Sequence, residues 1–218
     1  MVAQRPEPAA PSELPVLRGR RVLLRQPVPG DAAARLEVPA DPEAHRLYGG
    51  SGPPAPVTAA TVAADLAGYA RQDLTRARGF VVAALIWPDG RPAGAATGRY
   101  VGGIRLHTLV WPDRRARLAV GLFDRRFWSH GYGSEAIRLL LRYGFEVLGL
   151  HRIDLRVLAD NGRAIRAYEK CGFVREGVER ESALVDGRWH SDVLMGLLEQ
   201  EYRAQPWAAG ASEDAPAG

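Results

Sequence analysis

Apolar residues recur along this chain at two spacings, and together these spacings predict an α/β protein. The strongest pattern follows residue 134, where apolar or small residues recur at the helical spacing i, i+3, i+4, i+7, i+8 and i+11, namely at Ile137, Leu140, Leu141, Gly144, Phe145 and Leu148. Charged residues leave only a narrow polar stripe between them, which is typical of a helix that lies across a sheet. Gly149 follows directly and predicts where this helix ends.

Shorter apolar runs predict strands, and weaker helical patterns predict three further helices. Strands are predicted at residues 21–25, 80–87, 100–110, 116–122, 151–158, 173–180 and 189–197. Helices are predicted at 32–38 with Asp31 as the N-cap, at 58–75 and at 161–170, whereas the Pro- and Gly-rich residues 39–57 are predicted to be a loop. The order β-α-α-β-β-β-α-β-α-β-β predicts one α/β domain around a single mixed sheet.

Composition separates the two ends of the chain from the part that folds. Residues 1–16 and 204–218 are rich in Pro, Ala, Gly and Glu, so we expect disordered tails on either side of a single domain at 17–203. No stretch approaches the roughly 20 consecutive apolar residues of a membrane span. Cys171 is the only cysteine among 218 residues, and a chain that cannot form an internal disulfide suits a reducing, cytoplasmic location.

The net charge is +4, and the positive charge comes almost entirely from arginine, since Lys170 is the only lysine among the 29 Lys and Arg residues. A nucleic-acid interface would require a clustered basic stripe with interleaved aromatic residues. Here the arginines are scattered and accompanied by Glu and Asp. We therefore expect no nucleic-acid partner, no membrane partner and no metal ion.

A glycine-rich segment stands directly before the strongest helix, and it reads Gly131-Tyr132-Gly133-Ser134-Glu135-Ala136. Backbone N–H groups at the start of a helix lack partners and lie at the positive end of its dipole, so this segment predicts an anion site for a pyrophosphate. The segment also fits the dinucleotide fingerprint G-x-G-x-x-A. That fingerprint requires the glycines directly after a strand, whereas residues 123–130 intervene here. Tight helix–sheet packing is a second alternative, but it would need only one glycine.

Several motifs in order then resemble one family. The segment Trp128-Ser129-His130-Gly131-Tyr132-Gly133 resembles the acetyl-CoA pyrophosphate loop of the GNAT N-acetyltransferase superfamily, whose pattern is Arg/Gln-x-x-Gly-x-Gly/Ala. Trp128 stands at the Arg/Gln position, as is usual in the branch that resembles the RimJ/RimL protein N-terminal acetyltransferases. Residues 151–155, 161–173 and 186–190 resemble the same branch. The resemblance runs from about residue 17 to residue 203 and is strongest over 121–196.

The resemblance implies a GNAT-like α/β fold and a set of site residues. The fold would be a mixed, largely antiparallel sheet of about seven strands with helices on both faces, splayed between strands four and five. Acetyl-CoA would be the co-substrate, and the acetyl group would pass directly to an amine in a ternary complex formed by a monomer or a homodimer. The implied cofactor-binding residues are Leu118, Ala119 and Val120 at the thioester carbonyl, Ser129, His130, Gly131, Tyr132, Gly133 and Ser134 at the pyrophosphate, and Asn161 and Ala164 at the pantetheine arm.

Tyr168 is the implied catalytic residue, because the family places this hydroxyl at the sulfur. Asn161 and Tyr168 are seven residues apart, so they share one face of a helix and lie about 10 Å apart along its axis. A phenol with a pKa near 10 can protonate a departing thiolate with a pKa of about 8.5. The alternative interpretation is a core aromatic residue on an apolar stripe with Ala164 and Ile165.

The base that deprotonates the amine is not evident from the sequence. Many relatives carry a glutamate in a pattern like Ala-Glu-Leu-Gly on the fourth strand, whereas this chain has Arg117 at that place. Arginine cannot serve as a base at physiological pH. His107 and His190 are candidates, water is another, and Arg117 would instead recognise an acidic group on the substrate. Cys171 is interpreted as a packing residue rather than a nucleophile.

Two functions from different classes follow from these features. The first is an acetyl-CoA-dependent N-acetyltransferase that acts on a primary amine, either a protein N-terminus or a small molecule such as an antibiotic or a polyamine. The acceptor would enter past residues 39–57, the second helix and residues 187–190. The alternative is a non-catalytic CoA-binding regulatory module, in which the missing glutamate reflects lost chemistry.

Overall fold

Eight strands form one sheet in the computed structural model, which describes residues 13–94 and 96–209. They are β1 (Leu17–Arg18), β2 (Val22–Arg25), β3 (Arg78–Ala84), β4 (Arg99–Val110), β5 (Arg115–Leu122), β6 (Arg152–Leu158), β7 (Val174–Val185) and β8 (Arg188–Leu198). Their order across the sheet is β1-β2-β3-β4-β5-β6-β8-β7. All neighbouring pairs are antiparallel except β5 and β6, which are parallel. The predicted mixed, largely antiparallel sheet is thereby confirmed, with the two-residue β1 as an additional edge strand.

Within the described ranges, seven α-helices accompany the sheet: α1 (Gly30–Leu36), α2 (Pro42–Leu47), α3 (Ala59–Ala70), α4 (Tyr132–Arg142), α5 (Gly162–Glu169), α6 (Glu199–Arg203) and α7 (Pro206–Ala209). A turn of π-helix over Tyr143–Val147 extends α4. Gly149 ends this segment with a φ of +66°, as the sequence predicts.

The sheet buries both of its faces at β2 and β3, which explains why these strands are almost continuously apolar. Val22, Leu24, Phe80 and Val82 join the core beneath α4 and α5. Leu23 and Val81 alternate with them and join a second core with residues of α1 and α3. Helices therefore lie on both faces, as predicted.

The β5–β6 pair opens part way along its length, and this opening positions the site. The two strands pair only from Arg115 to Arg117 on β5 and from Arg152 to Asp154 on β6. Beyond that point β5 remains paired with β4, and β6 remains paired with β8. The predicted splay between the fourth and fifth long strands is confirmed.

Two local predictions are wrong. Asp31 does not cap α1, which begins at Gly30 after Pro29. The Asp31 carboxylate is instead buried and accepts two hydrogen bonds from the Arg25 guanidinium, at 2.7 and 2.8 Å. The predicted loop at 39–57 contains α2, because Asp41 caps it and Pro42 occupies its first turn, where a missing N–H costs nothing.

The ends of the chain are described only in part. Residues 1–12 and 210–218, which belong to the predicted tails, lie outside the described residues. Residues 206–209, also within the predicted C-terminal tail, form α7. Trp207 packs against the core, and its ring lies 5.6 Å from that of Tyr202. Ordered packing therefore extends past residue 203, while the boundary of the domain stays a prediction.

Candidate active site

A cavity of about 720 Å³ occupies the opening between β5 and β6. The loop before α4, the first turn of α4 and the inner face of α5 form much of its remaining wall, and residues from α2, β4 and β8 also line it. Ten of the twelve site residues implied by the sequence line it: Leu118, Ala119, Val120, Ser129, Gly131, Gly133, Ser134, Asn161, Ala164 and Tyr168. The fold thus brings together three segments that are separated along the chain.

The glycine loop presents a row of backbone donors to this cavity. The first N–H group here that finds a backbone acceptor is that of Glu135, which donates to the Gly131 carbonyl at 2.9 Å. Within the described chain, the N–H groups of residues 129–134 donate to no backbone acceptor outside the regular helix. Gly131 precedes the helix with a φ of +86°, a conformation that favours glycine. These donors and the helix dipole form the kind of site that binds a phosphate group.

The remaining two predicted residues, His130 and Tyr132, do not place their side chains in the cavity. Tyr132 is buried in the core, and its hydroxyl donates to the Ile86 carbonyl at 2.7 Å. His130 is exposed, and its carbonyl accepts a hydrogen bond of 2.6 Å from the Arg21 guanidinium. Only their backbone N–H groups remain available for the role that the sequence predicts.

Gly133 provides a test of whether a ligand fits here. A Cβ atom at this position would approach only one group of the described chain, the Leu122 side chain, at an ordinary contact distance of 3.9 Å. Glycine inside a helix costs about 1 kcal/mol relative to alanine, and neither packing nor a positive φ requires it here. The space beside Gly133 is thus open towards the cavity, and it would allow a bound group to approach the backbone closely.

Trp128 ties this loop to the end of β5. Its indole Nε1–H donates to the Leu122 carbonyl at 2.8 Å. The Arg163 guanidinium lies 3.6 Å from the centre of the indole ring, and that of Arg125 lies 5.1 Å from it. Arg125 also pairs with Asp41 at the start of α2. Trp128 is part of the recognised motif, but no sequence signal connects it with Arg163.

The walls of the cavity carry an excess of positive charge. Asp192 is the only acidic residue among the described residues that line it, whereas six are basic: Arg105, Arg117, Arg156, Arg163, Arg166 and Lys170. Such a wall concentrates anions near the cavity. The charge therefore suits a ligand with several phosphate groups.

Asn161 and Ala164 form the end of α5 that faces the cavity. The Asn161 side-chain oxygen accepts the Ala164 N–H at 3.2 Å and so caps the helix. The amide NH₂ of Asn161 has no hydrogen-bond acceptor in the described part of the chain. It is therefore available to a ligand carbonyl.

Tyr168 lies two turns further along α5 and is largely buried, although it lines the cavity. Burial raises the pKa of its phenol, so the hydroxyl keeps its proton at neutral pH. Its ring packs edge-on against Phe173, with the ring centres 5.9 Å apart. Core packing and a proton on the cavity wall are both compatible with this position.

Cys171 is fully buried behind the same helix, and its thiol lies 3.5 Å from the Ser134 carbonyl. Burial raises the pKa of this thiol to about 11. A buried thiol that stays protonated is a poor nucleophile. The packing role predicted for Cys171 is consistent with this environment.

A second cavity, of about 900 Å³, lies on the other side of β5 and is bounded by α1, α2 and α3. The two cavities share a wall at the end of β5, and Ala119, Gly121 and Leu122 line both. Tyr48 also lines both cavities. Its ring packs close to Gly121, where a Cβ atom would lie only 3.2 Å from the ring. The absence of a side chain at Gly121 thus allows this tyrosine to stand where the cavities meet.

The candidate bases occupy different places. His107 lines both cavities, whereas His190 lines neither and lies 3.8 Å from the Asp160 carboxylate. Arg117, at the position of the expected glutamate, donates to Asp154 at 2.8 Å. Its charge is thus partly neutralised within the protein.

Two absences apply to residues 13–94 and 96–209. No helix among them is both long enough and apolar enough to cross a membrane. The same residues contain no group of three or more His, Cys, Asp or Glu side chains that could hold a metal ion.

Known proteins with similar folds share this architecture. The structure of an acetyltransferase from T. thermophilus is 28% identical, covers 86% of this chain and 91% of its own, and has a TM-score of 0.67. The structure of Mycobacterium smegmatis RimJ in complex with CoA-disulfide is 21% identical, covers 86% of each chain and has a TM-score of 0.69. At that level of identity the second likeness concerns the fold alone.

Sequence comparison gives the same family. The spermidine N(1)-acetyltransferase of Vibrio cholerae is 38% identical over 102 residues, which are 47% of this chain and 58% of that protein. The chain spans between half and three fifths of the length of the curated relatives that it matches. The profile described as Acetyltransferase (GNAT) domain matches residues 21–174. The resemblance in the sequence motifs is confirmed, and the chain belongs to the GNAT acetyltransferase family.

Proposed function

We propose that the protein transfers an acetyl group from acetyl-CoA to a primary amine by direct attack in a ternary complex. The observation that carries this proposal is the meeting of two cavities on the same stretch of β5, around Ala119 and Gly121. One cavity is basic and rich in backbone donors, and the other is open to a second molecule. Two substrates bound in this way would be held against each other, which favours direct transfer.

The loop before α4 would hold the pyrophosphate, since its N–H groups lack other partners in the described chain. The Asn161 amide would bind a carbonyl of the pantetheine arm within the opening. The splayed part of β5, at Leu118, Ala119 and Val120, would direct backbone N–H groups at the thioester oxygen. Each such donor to a developing oxyanion contributes about 3 kcal/mol in other acyl transfers.

Tyr168 would protonate the departing sulfur. Burial raises the pKa of its phenol, which keeps the proton in place, and the same surroundings would also raise the pKa of the thiol that accepts it. The proton transfer therefore stays feasible within a shared apolar environment. The position of Tyr168 on the cavity wall supports this role.

We assign the amine acceptor to the second cavity, which is called the acceptor cavity below. The charges around it favour an amine with a single positive charge. Its acidic residues among the described part of the chain are Asp41, which pairs with Arg125, and Asp65. Arg35 and Arg105 line the same cavity. A polyamine would place its additional ammonium groups near these guanidinium groups, and like charges in an interface are unfavourable. We infer that the acceptor is a monoamine or a peptide N-terminus.

The experiment has two stages. Differential scanning fluorimetry with acetyl-CoA should raise the melting temperature, since a ligand that binds only the folded state stabilises it. Incubation with a panel of monoamines, peptides and polyamines, followed by mass spectrometry, should then show a product heavier by one acetyl group. Binding without transfer to any amine would favour the non-catalytic CoA-binding module, and no binding would overturn both functions.

A further inference from the structure

His107 stands where the two cavities meet, because it is one of the few residues that line both. It lies on β4 directly opposite Arg117 of β5, in the antiparallel register that also pairs Arg105 with Ala119. This places a titratable side chain beside the stretch of β5 that the proposed function assigns to the thioester. Neither the family match nor the recognised motifs assign a role to it.

The alternation of β4 determines which face His107 occupies. Ile104 and Leu106 point into the core beneath α4, so Arg105 and His107 lie on the opposite face. That face forms the wall of the acceptor cavity. Ala119 is the diagonal neighbour of His107 across the strand pair, and such side chains are about 7–8 Å apart. A gap of this size accommodates an amino group that attacks above Ala119.

The surroundings of His107 keep its imidazole neutral. Burial lowers its pKa, and the nearby Arg105 of β4 and Arg117 of β5 lower it further. Asp154 of β6 acts in the opposite direction, but its carboxylate is bonded to Arg117 at 2.8 Å. At neutral pH the ring therefore has a lone pair to accept a proton.

One ring nitrogen already has a partner. The Nδ1 atom lies 3.0 Å from the hydroxyl oxygen of Thr108. Thr108 has a φ of +52°, and the pairing of β4 with β5 shifts register just after His107. In the tautomer whose Nδ1–H group donates to Thr108, Nε2 carries the lone pair that can act as a base.

We propose that His107 is the general base of the transfer, in place of the glutamate that Arg117 replaces; this inference rests on the proposed function. Nε2 takes one proton from the ammonium group of the acceptor. The neutral amine then forms the C–N bond, the C–S bond breaks, and the second proton of the nitrogen replaces the one that Tyr168 gives to the sulfur. The products are the amide, free coenzyme A and one proton, which His107 releases to solvent.

The test compares His107→Gln with His151→Gln in the full chain, using an amine that the wild-type protein acetylates; His151 is exposed and lines neither cavity. Loss of a general base typically costs 10²–10⁴-fold, so we expect His107→Gln to lower kcat by about a hundredfold, while His151→Gln retains wild-type turnover. In the wild type, kcat should fall as the pH drops through a pKa below 6.5, because protonation removes the base. This limb of the pH profile should be absent in His107→Gln.

The same experiment separates this inference from the proposed function. If the wild type is active and His107→Gln keeps both its kcat and its acidic limb, His107 is not the base, although the proposed function stands. If the wild type acetylates no amine, the proposed function fails and the base role with it. Thermal stabilisation of His107→Gln by acetyl-CoA shows that this variant is folded. If it is not folded, the comparison is made with His107→Asn.

Discussion

The two cavities of this protein are built in different ways. The cavity between β5 and β6 depends on main-chain atoms, namely the row of N–H groups before α4 and the part of β5 that is not paired with β6. The second cavity depends on side chains from α1, α2, α3, β4 and β5. The first carries a strong excess of basic residues, whereas acidic and basic residues are mixed in the second.

This difference determines how readily each cavity can change during evolution. A site made of backbone donors tolerates few changes, because its geometry follows from glycines and from the start of a helix. A site made of side chains on loops and short helices changes with single substitutions, while the fold remains. Members of one family can therefore share a donor and differ in the amine that they modify.

The largest expected effect is at Tyr168, on the wall of the cavity between β5 and β6. Tyr168→Phe should lower kcat by about a thousandfold at neutral pH, since general acid catalysis contributes 10²–10⁴-fold. The affinity for CoA should remain unchanged, because the ring and its packing against Phe173 are retained. Steady-state kinetics and titration calorimetry measure the two quantities. Wild-type kcat in this variant would leave Tyr168 as a core aromatic only.

The next effect should reveal the backbone character of the first cavity. Gly133→Ala should stabilise the fold by about 1 kcal/mol, because alanine favours a helix. It should also weaken CoA binding by about 2 kcal/mol, roughly thirtyfold, since a methyl group would overlap the bound pyrophosphate. The free energy of unfolding, measured by chemical denaturation, should therefore rise, while the CoA affinity, measured by calorimetry, should fall.

Gly30→Ala is the matched control, because Gly30 begins α1 and a Cβ atom there would have no neighbour within 4 Å in the described part of the protein. It should leave CoA binding unchanged. Equal CoA affinity in Gly133→Ala and the wild type would place the pyrophosphate elsewhere.

The second cavity should discriminate among amines by their charge. Spermidine should be acetylated with a kcat/KM at least about tenfold below that of a monoamine of similar length, which corresponds to about 1.4 kcal/mol of charge repulsion. Arg105→Gln should narrow this difference by removing one guanidinium from the wall. Preference for spermidine in the wild type would contradict the assignment of a singly charged acceptor.

The smallest expected effect concerns salt. Raising the ionic strength from about 0.05 M to about 0.5 M should weaken CoA binding roughly fivefold, because salt screens the basic wall. The KM of a singly charged amine should change less than about twofold under the same conditions. Equal salt sensitivity of both substrates would remove the electrostatic contrast between the two cavities.

The sequence predicts the first cavity far better than the second, for a physical reason. The helix after Gly133 and its donors follow from residues that are adjacent in the chain, as does the spacing of Asn161 and Tyr168. The second cavity depends on contacts between distant segments, such as that of Tyr48, just after α2, with Gly121 of β5. No local pattern specifies that contact, because it depends on how distant segments pack.

The two wrong local predictions, at Asp31 and at residues 39–57, also reflect side-chain partners outside the segment concerned. Asp31 has the chemistry of a helix cap, but the buried Arg25 guanidinium recruits its carboxylate. The stretch that contains α2 has the composition of a loop, yet Asp41 both caps the helix and pairs with Arg125 next to Trp128. The side-chain partner is six residues away for Asp31 and 84 residues away for Asp41, and in both cases it lies outside the helix concerned, so propensity alone misleads.

The solitary thiol of Cys171 has a practical consequence for the bench. Because its sulfur is enclosed and its pKa is raised to about 11, a chromogenic disulfide reagent should find no reactive group on the described part of the enzyme. Colour would then report liberated coenzyme alone. Turnover could be followed continuously in a cuvette, and large amine libraries could be screened without a correction for the catalyst.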